Sequence, residues 1–151
     1  MKKKLFVGFK GKNNSSSMLV SSISSEHFLL TNSFEGVRKD IDELFEDYDE
    51  VYLFGADKNL SDSFRIERLA EKDGKRLKSK LDLEKVKEQF ASFRIKAEIL
   101  NTPTKYLCND AYWYLLEKYK GNAVLIHIPT VKNFKEEWIS DVKKAIKSAS
   151  K

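Results

Sequence analysis

The stretch Ala123-Val124-Leu125-Ile126-His127-Ile128 decides the fold, because it is a continuous apolar run interrupted by one histidine. A run of this length without polar alternation is typical of a strand that is buried on both faces. Strands of this kind lie in parallel sheets whose two faces are covered by helices. The sequence therefore predicts a central strand here, and a histidine within such a strand is unusual.

Shorter apolar runs and helical stripes alternate along the rest of the chain. Strands are predicted over residues 4–8, 27–31, 51–54 and 95–99, with a further extended segment at 64–67. Helical spacing is carried by Met18, Leu19, Ser22 and Ile23, by Val37, Ile41, Leu44 and Phe45, by Leu83, Val86, Phe90 and Phe93, and by the segments 108–119 and 135–149. Alternating strands and helices favour a mostly parallel sheet. We therefore predict an α/β fold, a three-layer α/β/α sandwich with a twisted central sheet, formed by a single domain over residues 1–151.

The composition is that of a globular protein. The chain has 151 residues with 41% hydrophobic residues, only 2 prolines and 6 glycines, which excludes a collagen-like or disordered chain. Its single cysteine excludes an internal disulfide. Nothing resembles a signal peptide, and no apolar stretch approaches the roughly 20 residues that span a bilayer. We therefore expect a cytoplasmic protein without a membrane partner.

The formal net charge of +5 raises the question of nucleic-acid binding. The contacts would be expected in the basic stretch, which contains Lys72, Lys75, Arg76, Lys78 and Lys80. Acidic residues interrupt or flank this stretch, and it lacks an aromatic residue that could stack on bases. We therefore expect a solvated loop or helix face and no nucleic-acid partner. Binding of nucleic acid through the basic surface stays a third alternative.

Few residues could carry chemistry. One cysteine excludes zinc binding by cysteine pairs, and no glycine-rich phosphate loop is present. Cys108 follows an extended segment at residues 105–107 and precedes a helix predicted to begin near Asn109. A thiol at a helix N-terminus has a pKa below the usual value of about 8.5, and the free N–H groups there can hold an oxyanion. Cys108 and His127 both fall near the carboxyl ends of predicted strands, so they could meet in space.

A cysteine and a histidine together can hydrolyse an amide. The imidazole takes the thiol proton and later protonates the leaving amine, while a third group orients the ring. Glu67 is a candidate for this third role. The arginines on either side of it, Arg65 and Arg68, could keep its carboxylate ionised. Alternatively, they could simply form ion pairs with it at the surface. Each residue also has a structural interpretation, since a lone cysteine is often buried in a core and a strand histidine is often a satisfied structural residue.

Three segments resemble pyroglutamyl peptidase type I, a cytosolic cysteine peptidase family that removes N-terminal pyroglutamate from peptides. They are Phe64-Arg65-Ile66-Glu67-Arg68-Leu69-Ala70, then Tyr106-Leu107-Cys108-Asn109, and finally Ile126-His127-Ile128-Pro129. The resemblance implies a phosphorylase/hydrolase-like fold. It also implies that Cys108 is the nucleophile, His127 the general acid and base, and Glu67 the acidic member of the triad. Metal ions and organic cofactors are not expected. Members of the family often assemble into homo-oligomers, which makes a homo-oligomer a possible state of this chain.

The segments that recognise substrate depart from the family pattern. Phe9, Gly55, Tyr106 and Leu107 correspond to positions that line the family's substrate pocket. However, Gly8-Phe9-Lys10-Gly11 lacks the family's Pro-Phe pair, and Gly55-Ala56 stands where the family has Gly-Gln. The expected substrate is therefore a peptide or small amide that carries pyroglutamate or another N-terminal acyl group. The alternative is a catalytically inactive relative that acts as a binding or assembly module.

Overall fold

The computed structural model describes residues 2–149, which form strands and helices that alternate along most of the chain. In chain order these are β1 (Lys4–Phe9), α1 (Ser15–Ile23), β2 (His27–Leu30), α2 (Phe34–Asp42), β3 (Glu50–Asp57), β4 (Phe64–Glu67), β5 (Leu69–Lys72), β6 (Lys75–Lys78), α3 (Leu83–Ser92), β7 (Ala97–Leu100), α4 (Tyr106–Lys118), β8 (Ala123–Pro129) and α5 (Trp138–Ala149). The prediction of an α/β fold is confirmed.

The central sheet has six strands in the order β2-β1-β3-β8-β4-β7. Neighbouring strands are parallel except for β4 and β8, which are antiparallel. Every residue of β8 is buried, because β3 and β4 flank it in the sheet and helices cover both faces. The predictions of a mostly parallel sheet and of a buried central strand at 123–128 are therefore confirmed.

Helices cover the sheet in two layers, each with its own apolar cluster. One cluster joins α1, α3 and α5 to β-strand residues such as Tyr52, Phe54, Ile126 and Ile128. The other joins α2 and α4 to the alternate strand residues, including Val51 and Leu53. Since successive strand side chains point to opposite faces, the odd-numbered residues of β3, β4 and β8 lie on the α4 side. Every strand residue of the candidate site belongs to this face.

Three predicted elements differ in detail from the structure. In α1 the buried residues are Ser15, Ser16, Leu19, Val20 and Ile23, whereas Met18 is exposed. The two serines are buried because their hydroxyl groups are hydrogen-bonded, which apolar periodicity does not reveal. The helix α2 ends at Asp42, so Phe45 lies beyond it and is 79% exposed. The strand β7 begins only at Ala97, after the buried Ile95.

The basic stretch forms a hairpin, so its assignment to a solvated loop or helix face was wrong. Its residues lie mostly in β6, which pairs antiparallel with β5 in a separate two-stranded sheet. Asp73 and Gly74 connect the strands with φ angles of 52° and 77°. Positive φ at both central residues is the requirement of a tight hairpin turn, for which Asp-Gly is a strong signal. The expected exposure is nevertheless correct, because Lys75, Arg76 and Lys78 are exposed.

Candidate active site

His127 and Glu67 meet on the α4 face of the sheet. His127 lies in β8 and Glu67 in the adjacent antiparallel strand β4, where Glu67 pairs with Leu125. Nδ1 of His127 lies 2.8 Å from Oε2 of Glu67. The exposed fraction is 4% for His127 and 0% for Glu67. A carboxylate oxygen only accepts hydrogen bonds, so Nδ1 donates its proton and Nε2 of the neutral ring is left as an acceptor.

Cys108 approaches this pair from α4. It is the third residue of the helix and packs, partly buried, against the apolar cluster between α4 and the sheet. Gly55, which pairs with His127 in the β3–β8 register, defines the meeting point. A methyl group on Gly55 would lie 2.9 Å from Sγ of Cys108, 3.4 Å from Cδ2 of His127 and 3.5 Å from its Nε2. The thiol and the Nε2 edge of the imidazole therefore face the same point above Gly55.

The helix that carries Cys108 begins earlier than the sequence indicated. We expected an extended segment at 105–107 and a helix start near Asn109, but α4 begins at Tyr106 with Lys105 as an extended N-cap. The physical reason is that Leu107 packs against the same apolar cluster as Ala111 and Leu115, which are spaced at helical intervals of four residues. The apolar stripe of the helix thus continues one turn further towards its N-terminus.

Tyr106, the first residue of the helix that carries Cys108, occupies an unusual backbone conformation. Its φ is 64°, in the left-handed region, and its side chain is 80% exposed. A bulky residue in this region costs about 1–2 kcal/mol relative to a right-handed conformation. The conformation turns the chain sharply from the segment after β7 into α4, two residues before Cys108.

The structure reverses the expected direction of the Cys108 pKa. We expected the helix N-terminus to lower it, whereas burial raises the pKa of the Cys108 thiol to about 12. The carboxylates of Asp57 and Glu67 raise it further, and the guanidinium of Arg65 opposes them. Loss of solvation and two nearby negative charges thus outweigh the helix N-terminus. The resting group is a protonated thiol, which needs a base at the moment of attack.

Arg65 and Asp57 also belong to this site, although sequence reasoning did not place Asp57 there. Nε of Arg65 donates to Oε2 of Glu67 at 2.6 Å, and Nη2 donates to Oδ2 of Asp57 at 2.7 Å. Nη2 also lies 3.2 Å from Nδ1 of His127. Arg68, the other arginine beside Glu67, instead bonds to Asn101. The strand alternation that puts Arg65 on the face of Glu67 was a signal available in the sequence, and so was the position of Asp57 two residues after Gly55.

The remaining candidate residues lie in different environments. Phe9 is buried at the end of β1, in the apolar cluster that also includes Leu107 and Cys108. Its N–H group donates to Oγ of Ser16, which ties the end of β1 to α1. Tyr106 points away from the core into solvent. The structure thus places Gly55 beside Cys108, puts Phe9 and Leu107 in the apolar cluster against which Cys108 packs, and leaves Tyr106 at the exterior.

The basic stretch lies apart from the catalytic candidates. Together with the C-terminal half of α4, it lines a cavity of about 880 Å³ that contains none of Cys108, His127 and Glu67. Within residues 2–149, no group of three or more histidine, cysteine or acidic side chains could hold a metal ion. No helix in the same range is long and apolar enough to cross a membrane.

Comparison with known proteins gives matches among solved structures. No protein-family model and no curated protein sequence matches this chain. The pyrrolidone carboxyl peptidase of Thermococcus litoralis has a TM-score of 0.82 and 18% identity, covering 99% of this chain and 94% of that one. The pyrrolidone carboxyl peptidase of Thermus thermophilus has a TM-score of 0.78 and 17% identity, covering 95% of this chain and 98% of that one. Pyroglutamyl peptidase I of Bacillus amyloliquefaciens has a TM-score of 0.75 and 16% identity, covering 99% of this chain and 95% of that one. The chain thus shares the fold of these peptidases over nearly its whole length.

Proposed function

We propose that this chain is a cysteine-type exopeptidase that removes N-terminal pyroglutamate, or a related cyclic or N-terminal acyl group, from peptides or small amides. The observation that carries the proposal is the convergence of Cys108 and the Glu67–His127 pair above Gly55. The fold shared with solved pyroglutamyl peptidases supports it. The three motif segments that contain Glu67, Cys108 and His127 supply a second, independent line of support.

Acylation begins when the amide carbonyl of the substrate reaches Sγ of Cys108 beside Nε2 of His127. Sγ of Cys108 attacks the amide carbonyl carbon while Nε2 of His127 takes the thiol proton, so that a thiolate never has to form in isolation. This order suits a thiol whose pKa is raised by burial. Glu67 holds the ring through Nδ1 and compensates the positive charge of the imidazolium that forms.

The oxyanion and the leaving group then have defined partners. The N–H groups of the first turn of α4 have no helical acceptor, and they can donate to the carbonyl oxygen as it gains negative charge. The C–N bond breaks as the imidazolium returns the proton to the leaving amine. Water, deprotonated by His127, attacks the thioester, and the proton returns to the departing sulfur. The net reaction is amide plus water giving acid plus amine, without a cofactor or metal ion.

The acyl group would be held between an apolar and a charged side of the site. Phe9 and Leu107 belong to the apolar cluster next to Cys108, whereas Asp57 and Arg65 form the opposite, charged side. Tyr106, being exposed, would contact only a substrate portion that extends out of the site.

The test is release of a fluorescent amine from a pyroglutamyl amide under reducing conditions. We expect hydrolysis by the wild-type chain and its loss in Cys108→Ala and His127→Ala, with unchanged far-ultraviolet circular dichroism. Hydrolysis that persists in Cys108→Ala would contradict the assignment of the nucleophile. Absence of hydrolysis in the wild-type chain, with pyroglutamyl and other N-terminal acyl amides alike, would contradict the peptidase proposal and favour a binding or assembly module.

We also propose that the protein acts in the cytoplasm and assembles into a homo-oligomer, with peptides or small amides as its binding partners. A reducing compartment suits a chain whose single cysteine is its nucleophile. Light scattering after size-exclusion chromatography measures the assembly state. A mass equal to that of one chain at micromolar concentration would contradict the oligomer.

A further inference from the structure

An ion pair lies at the edge of the site and takes no part in the proposed chemistry. Arg65 pairs with His127 in the β4–β8 register, and Asp57 is the last residue of β3, two residues after Gly55. Their side chains are joined at 2.7 Å and are each about one-fifth exposed, at 20% and 18%. Because Arg65 also donates to Glu67, the pair is connected directly to the orienting carboxylate of the triad.

The environment of Glu67 explains why such a cation is needed. Its side chain is fully buried, and Oε2 accepts from both Arg65 and His127. The other oxygen, Oε1, is buried and has no hydrogen-bond partner within the described residues. A buried carboxylate with only a neutral imidazole as its partner is costly, because the lost solvation is not replaced. The guanidinium supplies the opposite charge that this carboxylate otherwise lacks.

We propose that Arg65, itself held by Asp57, is a positioning residue that fixes the Glu67 carboxylate in place and directs it at Nδ1 of His127. The inference rests on the proposed hydrolase function, because it assigns Arg65 a role in orienting the base. The fork of the guanidinium is essential, since Nε and Nη2 reach two different carboxylates at once. The single ammonium group of a lysine reproduces the charge of arginine and not its fork.

The two members of the pair act on the nucleophile with opposite signs. The titratable and charged groups around Cys108 are Asp57 from β3, Arg65 and Glu67 from β4, and the imidazole of His127 from β8. The negative charge of Asp57 raises the pKa of the Cys108 thiol, and the positive charge of Arg65 lowers it. Removing either Arg65 or Asp57 breaks the same ion pair. If the pair had a purely structural role, both substitutions would therefore change the reactivity of the Cys108 thiol in the same direction. The charges of the two residues, by contrast, change thiol reactivity in opposite directions, and the positioning of Glu67 is read from kcat.

The experiment compares Arg65→Met, Arg65→Lys and Asp57→Asn with the control Arg76→Met. The control breaks an exposed Arg–Glu pair, between Arg76 and Glu71, that lies outside the site. The first readout is the rate of alkylation by iodoacetamide at mildly alkaline pH, which reports only on Cys108 because the chain has one cysteine. The second readout is kcat and KM for a pyroglutamyl amide. Thermal unfolding establishes that each variant is folded.

We expect Arg65→Met to slow alkylation and Asp57→Asn to accelerate it. Arg65→Met should lower kcat by about 10- to 100-fold, the effect of losing one hydrogen bond between charged groups, with KM nearly unchanged. Arg65→Lys should restore part of kcat, and Arg76→Met should match the wild type. If Arg65→Met fails to fold, Arg65→Gln removes the same charge and gives the same comparison with Asp57→Asn.

Two results would overturn the inference. One is an alkylation rate that changes in the same direction in Arg65→Met and Asp57→Asn, or that changes in neither variant. The other is a kcat of Arg65→Met equal to that of Arg76→Met. A wild-type chain without turnover, whose variants still show opposite alkylation shifts, would refute the proposed hydrolase and support the electrostatic role of Arg65. The two failures are therefore distinguishable.

Discussion

Replacing Gly55 by alanine tests the geometry of the site without disturbing the rest of the fold. The added methyl group would lie 2.9 Å from Sγ of Cys108, whereas atoms in ordinary contact are about 3.5–4.0 Å apart. The sulfur must therefore move by roughly 0.5–1 Å, away from the point that it shares with His127. A displacement of about 1 Å in an active site can cost about 100-fold in rate. We therefore expect kcat/KM of Gly55→Ala to fall about 100-fold.

The same substitution should leave the stability nearly unchanged. The methyl group meets the side chains of Cys108 and His127 and not the backbone, and alanine restricts the unfolded chain more than glycine does. The free energy of unfolding, measured by urea denaturation, should therefore change by no more than about 1 kcal/mol. Gly8→Ala should instead lower the free energy of unfolding. Its methyl group would lie 2.8 Å from the backbone oxygen of Ser16 and must strain the fold.

Gly74→Ala is the activity control. Nothing lies within 4 Å of its added methyl group, and its φ of 77° is confined to the hairpin turn. Its kcat/KM should equal that of the wild type. Full activity in Gly55→Ala, or an equal loss of activity in Gly55→Ala and Gly74→Ala, would refute the view that the thiol and the imidazole work across the space above Gly55.

Three further predictions concern ionisation and packing. Iodoacetamide should alkylate Cys108 slowly at neutral pH, with a rate that keeps rising into the alkaline range, because its pKa is raised to about 12; a rate plateau below pH 8 would contradict this. Burial alone would raise the pKa of Asp57, but the N–H group of Asn59 and the guanidinium of Arg65 lower it below the ordinary 3.8. The charge of Asp57 therefore stabilises the fold above pH 3.8, and this contribution is lost as the pH falls through the lowered pKa of the folded state. On acidification, Asp57→Asn should therefore lose less unfolding free energy than the wild type. The buried hydroxyl of Tyr112 donates to the backbone oxygen of Glu67 at 2.7 Å, so Tyr112→Phe should lower the unfolding free energy in urea by about 1 kcal/mol, and an unchanged value would show that this bond contributes nothing.

The sheet could be predicted from sequence because its strands carry unambiguous patterns. The continuous apolar run that contains His127 gave the central strand, and the alternation around Ile66 gave the extended segment that became β4. The hairpin was missed although Asp73-Gly74 is a strong turn signal, because the surrounding charges suggested a solvated segment. The start of α4 was placed too late, because apolar periodicity alone did not show that Leu107 contributes to its buried face.

The proximity of the candidate site residues could be anticipated from the sequence, whereas their electrostatics could not. Glu67, Cys108 and His127 were found from their chemistry and from motif resemblance, and the structure brings them together. The pKa direction of Cys108 depends on burial and on the carboxylate of Asp57, which lies 51 residues away in sequence. That carboxylate reaches the site only through the pairing of β3 with β8. Such long-range charge contacts have no local signature in the sequence.

The most direct test of the central claim, that Cys108 is the nucleophile of an amide hydrolase, is intact-mass spectrometry after brief mixing with an activated pyroglutamyl ester. We predict a single pyroglutamyl adduct on the wild-type chain, mapped to Cys108 by peptide digestion, that decays as the free acid appears. Cys108→Ala should carry no adduct. An adduct that persists in Cys108→Ala, or a wild-type chain that never becomes acylated, would contradict the account.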